Sequence, residues 1–291
     1  MSRRIALLTN PTAGGGRGRR VAAVATPRLR AAGFQVDDLV GADAEEAREM
    51  AEAAVADGVE SLVVCGGDGL VHLAAQALAH SNVNLGIIPC GSGNDVARYL
   101  GLPRGDPGAA ADVVIGSRVR RIDLARCGAT HFVTVLAAGF DALVNERANA
   151  MTWPRGQMRY NLATLAELRV SRPRPYTLVM DGQELRTDAT LVAVGNGPSY
   201  GGGLRMTEGA DFTDGLLDVV VIRPLSRARL VAAYPRLFRG THVTLPEYAH
   251  FRARSVTVAA PGVVAYADGE RIGALPLTVD VAPHSLRVLV P

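Results

Sequence analysis

The sequence predicts an α/β domain with a parallel sheet, followed by an antiparallel β-sandwich. Its 291 residues suit two domains of ordinary size. Up to about residue 123, short apolar strands alternate with helical stretches, a pattern typical of a parallel sheet covered on both faces. From Arg126 onward strands dominate, and two Asp-Gly pairs mark hairpin turns. These observations place the domains at residues 1–124 and 125–284.

The elements of the first domain follow from its apolar runs and its glycines. Helix 44–57 has acidic residues early, as the helix dipole prefers, and Gly33 and Gly58 close the first two helices. A loop before residue 109 precedes a last helix. The predicted strands are 4–9, 34–40, 61–65 and 85–89, and the predicted helices are 19–32, 44–57, 71–79 and 94–100.

The second domain is predicted as a series of strands interrupted by two helices. The helices are expected at 157–170 and 227–239. Hairpin turns are expected at Asp181-Gly182 and Asp268-Gly269. The predicted strands are 131–137, 176–181, 189–194, 216–222, 255–259, 263–267, 277–281 and 286–290.

Composition excludes several classes of function. The 31 basic and 28 acidic residues give a net charge of only +3, too mild to indicate nucleic-acid binding. No apolar run approaches the roughly 20 residues of a membrane span, and the run after Met1 stops at Asn10-Pro11, too short for a secretory signal. The sequence has no lysine, which excludes a P-loop or Schiff-base lysine. Phosphate chemistry here must use arginine, backbone N–H groups and metal.

Three glycine turns follow predicted strands of the first domain. They are 10–18, 66–70 and 90–95, and each precedes a helix. The carboxyl ends of parallel strands share one edge of the sheet, so the turns can converge on one ligand. Glycine lets backbone N–H groups approach a phosphate closely, although tight turns also use glycine for steric reasons alone. None fits G-x-G-x-x-G, and Asp68 and Asp95 add carboxylates, which favours a nucleotide phosphate site with a metal.

Five segments resemble the diacylglycerol kinase catalytic-domain family, which includes soluble bacterial diacylglycerol kinases and sphingosine kinases. They follow the order of the family's motifs, which makes the resemblance more specific than any one motif. The segments are Asn10-Pro11 with its glycines, Gly66-Gly67-Asp68-Gly69, Pro89 through Asp95, Gly201 through Val219 with Asp214-Gly215-Leu216-Leu217-Asp218, and Asp268-Gly269-Glu270.

The resemblance implies a fold and an activity. It implies an NAD kinase/diacylglycerol kinase-like α/β domain, a β domain that takes the lipid, ATP between the two, and a last strand (285–291) that returns to the first domain. It implies an ATP- and Mg²⁺-dependent kinase that phosphorylates a lipid hydroxyl, diacylglycerol above all, in phospholipid biosynthesis. We expect a cytoplasmic enzyme that meets its lipid substrate peripherally at the membrane surface, with no nucleic-acid partner; a homodimer stays open.

The resemblance also implies roles for individual residues. Glu270 is expected to be the general base, and Asp68 to hold Mg²⁺ beside the phosphates. An exposed turn glutamate and a helix N-cap are the ordinary alternatives for these two residues. The nucleotide-binding residues expected from the matched motifs are Asn10, Pro11, Thr12, Ala13, Gly14, Gly66, Gly67, Asp68, Gly69, Ser92, Asn94 and Asp95.

A second metal site is implied near Asp214. In the resembled bacterial enzymes, a side chain at this position and two backbone carbonyls, matching Asp211 and Leu216, bind a structural Mg²⁺. Hard oxygen ligands suit this ion. The alternative is a simple turn before the strand 216–222.

Some positions depart from the family pattern, and two other functions stay open. Leu70 stands where the family has threonine, and Glu208 and Phe212 stand where relatives often have proline. An NAD kinase-like enzyme shares the Gly-Gly-Asp-Gly turn but not the motifs at Asn10 and Glu270. A non-catalytic lipid- or nucleotide-binding relative is suggested by Leu70.

Overall fold

A computed structural model describes residues 3–139, 144, 147, 150–153, 163 and 172–291. The contacts divide the chain into two compact units. Unit 1 consists of Met1–Leu124 together with Pro283–Pro291, and unit 2 consists of Ala125–Ala282.

Unit 1 alternates strands with helices along the chain. Its elements are β1 (Arg3–Thr9), α1 (Ala13–Gly16), α2 (Gly18–Ala31), β2 (Phe34–Leu39), α3 (Ala44–Ala56), β3 (Ser61–Gly66), α4 (Asp68–Leu78), β4 (Asn84–Pro89), α5 (Asp95–Tyr99) and α6 (Pro107–Gly116). The strands pair in parallel in the order β2-β1-β3-β4. The predicted parallel α/β class of this half is confirmed.

Local sequence accounts for these elements. Strands β3 and β4 are buried along their whole length, as expected of apolar runs inside a parallel sheet. The side chain of Asp43 caps α3 by accepting the N–H of Glu46, and Asp106 caps α6 in the same way before Pro107. Helix α4 starts at Asp68, three residues before the predicted start, so Asp68 lies in the first turn of the helix.

Unit 2 is an antiparallel β-sandwich, as predicted. Its elements are the end of β5 (Val119–Cys127), β6 (Thr130–Phe132), β7 (Val135–Gly139), β8 (Arg174–Met180), β9 (Gln183–Ala189), β10 (Leu191–Gly195), β11 (Leu217–Ile222), α7 (Arg227–Leu237), a 3₁₀ turn (Thr241–Thr244), β12 (Tyr248–Ala253), β13 (Ser255–Ala259), β14 (Val264–Ala267), β15 (Glu270–Ala274) and the start of β16 (Leu277–Leu289). One sheet has the order β12-β11-β10-β7-β14-β15, and in the other β13 lies between β16 and β8, with β9 beyond. Side chains from both sheets share one core, which includes Leu178, Val192, Val219 and Val256.

Several strands differ from the prediction. The predicted strand 131–137 is two strands, β6 and β7, and the predicted strands 277–281 and 286–290 are one, β16. Strands β9, β12 and β15 have no apolar run, because much of each is exposed to solvent, so the sequence does not reveal them. The predicted helix 157–170 lies outside the described residues.

The last residues of the chain belong to unit 1. Val288 in β16 pairs in parallel with Leu85 in β4. The N–H of His80 donates to the carbonyl of Ser285 at 2.7 Å, and Arg287 Nε donates to Asn84 Oδ1 at 2.9 Å. Among the described residues, no helix combines the length and the apolar character needed to cross a bilayer.

Candidate active site

The first glycine turn leaves β1 at Asn10 and runs to Arg17. The side chain of Asn10 accepts hydrogen bonds from the N–H and the hydroxyl of Thr12, at 3.0 and 2.8 Å. Gly14, Gly15 and Gly16 then have φ values of 58°, 74° and 92°, a left-handed region that glycine enters without a steric penalty. The N–H groups of Gly16 and Arg17 donate to the carbonyls of Thr12 and Ala13 within the turn. The glycines carry no side chain that would block the approach of an anion. Pro11 and Ala13 lie in the same turn.

The second turn is the shortest, Gly66-Gly67, and leads directly into α4. Gly67 is the N-cap and Asp68 the first helical residue. Leu70 is buried, and a Cβ added at Gly66 would lie 2.7 Å from Leu70 Cδ2, so the two residues are in close contact. The departure from threonine at this position therefore places an apolar side chain in the core. The backbone N–H groups at the start of α4 are unaffected by that change.

Asn94 closes the third turn. It has left-handed dihedrals, φ 54° and ψ 48°, which asparagine tolerates better than most residues. Its side-chain oxygen accepts the N–H of Gly91 at 3.0 Å, and its amide donates to the Gly91 carbonyl at 2.9 Å. The side chain of Ser92 is exposed at the tip of the turn. These two hydrogen bonds to the backbone of Gly91 fix the conformation of the turn.

Asp95 is buried at the start of α5, unlike the exposed carboxylate expected of a metal ligand. Its carboxylate forms an ion pair with Arg98 at 2.5 Å, and Arg98 also donates to the carbonyl of Gly93 at 3.1 Å. The backbone N–H of Asp95 donates to Asp68 Oδ1 at 2.7 Å. Nucleotide binding by Asp95 stays a prediction; the contacts assign it a part in fixing the turn. The sequence analysis did not predict a role for Arg98, although its i, i+3 spacing from Asp95 indicates a contact between the two side chains on a helix.

The three turns contact one another within unit 1. A Cβ added at Gly91 would lie 2.4 Å from the Cα of Gly67, so the second and third turns touch backbone to backbone. A Cβ added at Gly14 would lie 2.1 Å from the carbonyl oxygen of Cys90, which joins the first turn to the third. The Asn10 N–H donates to the Cys65 carbonyl at 3.1 Å, which joins the first turn to the end of β3. The structure therefore brings the predicted nucleotide-binding residues together.

Arg17 contributes the positive charge nearest to these contacts. Its guanidinium donates to the carbonyl oxygens of Gly14, at 2.9 Å, and Gly91, at 3.4 Å. It is exposed, so the charge is available to an anion from solvent.

Two buried thiols lie beneath the turns. The hydrogen bond between Cys65 and Cys90, together with burial, raises the pKa of the Cys65 thiol well above its ordinary value. The same hydrogen bond lowers the pKa of the Cys90 thiol; the Arg17 charge acts in the same direction and burial opposes it. Both cysteines are free thiols.

In unit 2, Glu270 begins β15 and its side chain is exposed. The turn before it is held by Asp268, whose carboxylate accepts the N–H of Val133 at 2.7 Å, the N–H of Thr134 at 2.8 Å and the Thr134 hydroxyl at 2.5 Å. Asn196 is fully buried and donates to the Val133 carbonyl at 2.9 Å. Asp268 and Asn196 therefore support the backbone from which Glu270 projects.

The predicted structural metal site also lies in unit 2, and there the guanidinium of Arg252 is paired with Asp214. Asp214 Oδ1 accepts the N–H of Leu216 at 3.0 Å, and Oδ2 is paired with the guanidinium of Arg252. Burial chiefly raises the pKa of Asp214, while the Leu216 N–H and Arg252 oppose that rise. Asp211 accepts two hydrogen bonds from Thr213. Among the described residues no three acidic, histidine or cysteine side chains gather as metal ligands. The oxygen donors themselves suit Mg²⁺, but the guanidinium of Arg252 is paired with one Asp214 oxygen, so the metal site stays a prediction that this ion pair opposes.

Comparison with known protein families agrees with both units. Residues 4–127 match the model of the diacylglycerol kinase catalytic domain, and residues 134–290 match that of the YegS C-terminal NAD kinase beta sandwich-like domain. Together these matches reach from β1 to the end of β16.

Individual relatives point the same way. A protein of Mycobacterium tuberculosis named diacylglycerol kinase is 46% identical over 99% of this chain and 95% of its own length. A Bacillus subtilis protein of the same name is 26% identical over 94% and 92%. A crystal structure of a diacylglycerol kinase from Bacillus anthracis superimposes with a TM-score of 0.81, at 25% identity, over 99% of this chain and 97% of that one. The chain therefore belongs to the diacylglycerol kinase family of lipid kinases.

Proposed function

We propose that this lipid kinase uses ATP and Mg²⁺ to phosphorylate the hydroxyl of diacylglycerol, giving phosphatidate, at the cytoplasmic surface of a membrane. The observation that carries the proposal is the mutual contact of three glycine turns at the carboxyl ends of β1, β3 and β4. Such an assembly offers backbone N–H groups to several phosphate oxygens at once.

Phosphoryl transfer depends on positioning and on neutralising charge, and unit 1 supplies both. The turns offer N–H donors that are already oriented, so little reorganisation accompanies binding. Arg17 is the exposed arginine on the turns, since Arg98 is paired with Asp95, and it takes the role that a lysine fills in other phosphate-binding loops.

Asp68 is the residue that would hold Mg²⁺. Its position at the first turn of α4 puts one carboxylate beside the glycine N–H groups, and Mg²⁺ commonly takes one or two carboxylates together with phosphate oxygens and waters. When bound, the ion would neutralise charge on the phosphates. The hydrogen bond from Asp95 N–H restricts the Asp68 side chain to one orientation.

Glu270 is proposed as the general base that accepts the proton of the lipid hydroxyl. Its carboxylate is exposed to solvent, and its backbone is held in place because Asp268 anchors the hairpin turn directly before it. Diacylglycerol is proposed as the acceptor because curated relatives carry the name diacylglycerol kinase, with 46% identity over nearly the whole chain in one case.

Transfer of radiolabel from γ-labelled ATP tests this function. The purified protein is incubated with diacylglycerol, ceramide, monoacylglycerol, phosphatidylglycerol or NAD, with and without Mg²⁺. We expect label in diacylglycerol only, and only with Mg²⁺. Asp68→Asn and Glu270→Gln should abolish it, whereas the exposed controls Asp188→Asn and Glu49→Gln should not. Label in NAD or in another lipid would refute the proposed acceptor, and full activity of Glu270→Gln would refute its role.

A further inference from the structure

Helix α7 is apolar on two opposite faces, although a helix on a protein surface normally has one. Its inner face consists of Leu230, Ala233 and Leu237, spaced by three and four residues. Leu230 and Leu237 pack against the core cluster that includes Val220 and Ile222. The inner face is therefore apolar because it packs α7 onto the core of unit 2.

The outer face is exposed and equally apolar. It consists of Ala228, Val231, Ala232, Pro235 and Phe238, also at helical spacing. Val231 is 51% exposed and Phe238 42%, and both are among the few large hydrophobic side chains exposed in the described part of the chain. Phe238 also makes an edge-on ring contact with Tyr234. The row as a whole nevertheless stays in solvent, and an exposed apolar row points to a surface that becomes covered.

The border of this face is positively charged. Arg227 and Arg239 lie at its two ends, and neither forms an ion pair within the described residues. Two further arginines, Arg229 and Arg236, contact Glu247 and the 3₁₀ turn. The chain has no acidic residue from 219 to 246, a stretch of 28 residues with five arginines. Positive charge around an exposed apolar row is the signature of a helix that lies in the plane of a membrane interface.

We propose that the outer face of α7 is a docking surface for an anionic lipid bilayer, with its apolar side chains among the acyl chains and Arg227 and Arg239 on the headgroups. This inference rests on the proposed action at a membrane surface, and names the part of the protein that makes the contact. Charge favours this occupant over a second copy of the chain, because pairing two such faces would bring their arginines together. The apolar row favours lipid over nucleic acid, because a charged phosphate backbone offers no apolar surface that could cover it.

Vesicle co-sedimentation of the full chain tests the surface. The vesicles are phosphatidylcholine alone or an equimolar mixture with phosphatidylglycerol. We expect tight binding to the mixture only. Val231→Ser/Phe238→Ser should weaken it roughly ten-fold or more, and Arg227→Gln/Arg239→Gln about 25-fold, at about five-fold per arginine. The matched control, Val40→Ser/Arg186→Gln, changes exposed residues in unit 1 and on β9 and should bind like wild type.

Activity measurements separate this inference from the proposed function. Both α7 variants should phosphorylate a short-chain diacylglycerol in neutral detergent micelles at the wild-type rate and lose activity only on anionic vesicles. Unchanged vesicle affinity in both variants would overturn the docking surface even if the protein phosphorylates diacylglycerol. A wild-type dimer that Val231→Ser/Phe238→Ser converts to a monomer with unaltered vesicle affinity would also overturn it. Loss of all diacylglycerol phosphorylation by wild type, with vesicle binding as expected, would refute the substrate and support the surface.

Discussion

The carboxylate of Asp68 accepts the backbone N–H of Asp95 at 2.7 Å, so the residue proposed to hold Mg²⁺ also joins the second glycine turn to the third. Its charge and its hydrogen bond can be removed separately. An asparagine keeps an acceptor oxygen without the charge, and an alanine keeps neither.

Asp68→Asn should therefore fold normally and lose activity. We expect kcat/KM to fall by about 100-fold or more, the usual effect of removing one group that stabilises the transition state. Asp68→Ala should also lower the free energy of unfolding by about 1.5–3 kcal/mol, the contribution typical of a hydrogen bond to a charged group. Urea unfolding and kinase assays on both variants measure the difference. Equal stability of the two variants would show that the tie to Asp95 contributes little.

Gly91→Ala should destabilise the protein because its Cβ would lie 2.4 Å from the Cα of Gly67. Backbone must move to relieve that contact, at a cost of about 1–3 kcal/mol, and the displaced turn should bind an ATP analogue less tightly. Gly116→Ala, in α6 and outside the turns, is the control, since no atom lies within 4 Å of its added Cβ and alanine favours the helix there. Calorimetric titration and urea unfolding should distinguish the two variants; similar stability would disprove the close contact.

Asp268→Ala should affect both stability and catalysis. It leaves the N–H groups of Val133 and Thr134 without their acceptor, which we expect to cost about 2–4 kcal/mol. Because Asp268 has a φ of 51°, asparagine is the best-tolerated replacement, and Asp268→Asn should recover most of the stability. If Asp268 positions Glu270, kcat should fall in the alanine variant more than the KM for ATP rises. An alanine variant with wild-type kcat would contradict this role.

Removal of metal should not change the unfolding temperature of the nucleotide-free protein. Arg252 already neutralises Asp214, so EDTA has no structural ion to extract there. Arg252→Gln should lower the unfolding temperature and make it rise again on addition of Mg²⁺, because the carboxylate then lacks a cation. Thermal unfolding with EDTA and with Mg²⁺ measures both effects. An EDTA-sensitive wild type would instead support the predicted ligand set of Asp211, Asp214 and Leu216.

Stability should decrease at mildly acidic pH through His242. Burial lowers the pKa of this histidine, whose ring nitrogen contacts the Met206 carbonyl at 3.2 Å. Its neutral form therefore stabilises the fold fully above the unfolded pKa of about 6.5, and that contribution is lost as the pH falls below this value. The slope is at most about 1.4 kcal/mol per pH unit. His242→Gln should flatten this dependence, which urea unfolding across the pH range measures; a variant that keeps the wild-type slope would exclude His242.

Sequence alone predicts the parts of this fold that are dictated locally. β1, β3 and β4 are apolar runs followed by glycine turns, and α3 between them has the expected cap and early acidic residues. The edge strands β9, β12 and β15 are not predicted. Pairing with the adjacent strand of the sheet makes them strands, and much of each faces water. A polar, half-exposed segment lacks the regular alternation of apolar and polar residues from which a strand is predicted.

The candidate site shows the same division. The motifs locate Asp68, Asn94 and Glu270, but the sequence does not indicate that Arg98 neutralises Asp95 or that Arg252 neutralises Asp214. Arg98 is a near neighbour whose role a helical spacing suggests. Arg252 lies 38 residues from Asp214 and reaches it only because β12 pairs with β11, so tertiary structure alone brings the two together.

The place of Val288 beside Leu85 has a consequence for biosynthesis. As the ribosome extends the polypeptide, β1 to β4 emerge first, and β4 lacks its neighbour β16 until residues 283–291 have been made. Exposed edges of this kind invite pairing with other nascent chains. A product that lacks residues 283–291 would keep every proposed catalytic group and still be prone to aggregation, because the edge of β4 would stay unpaired.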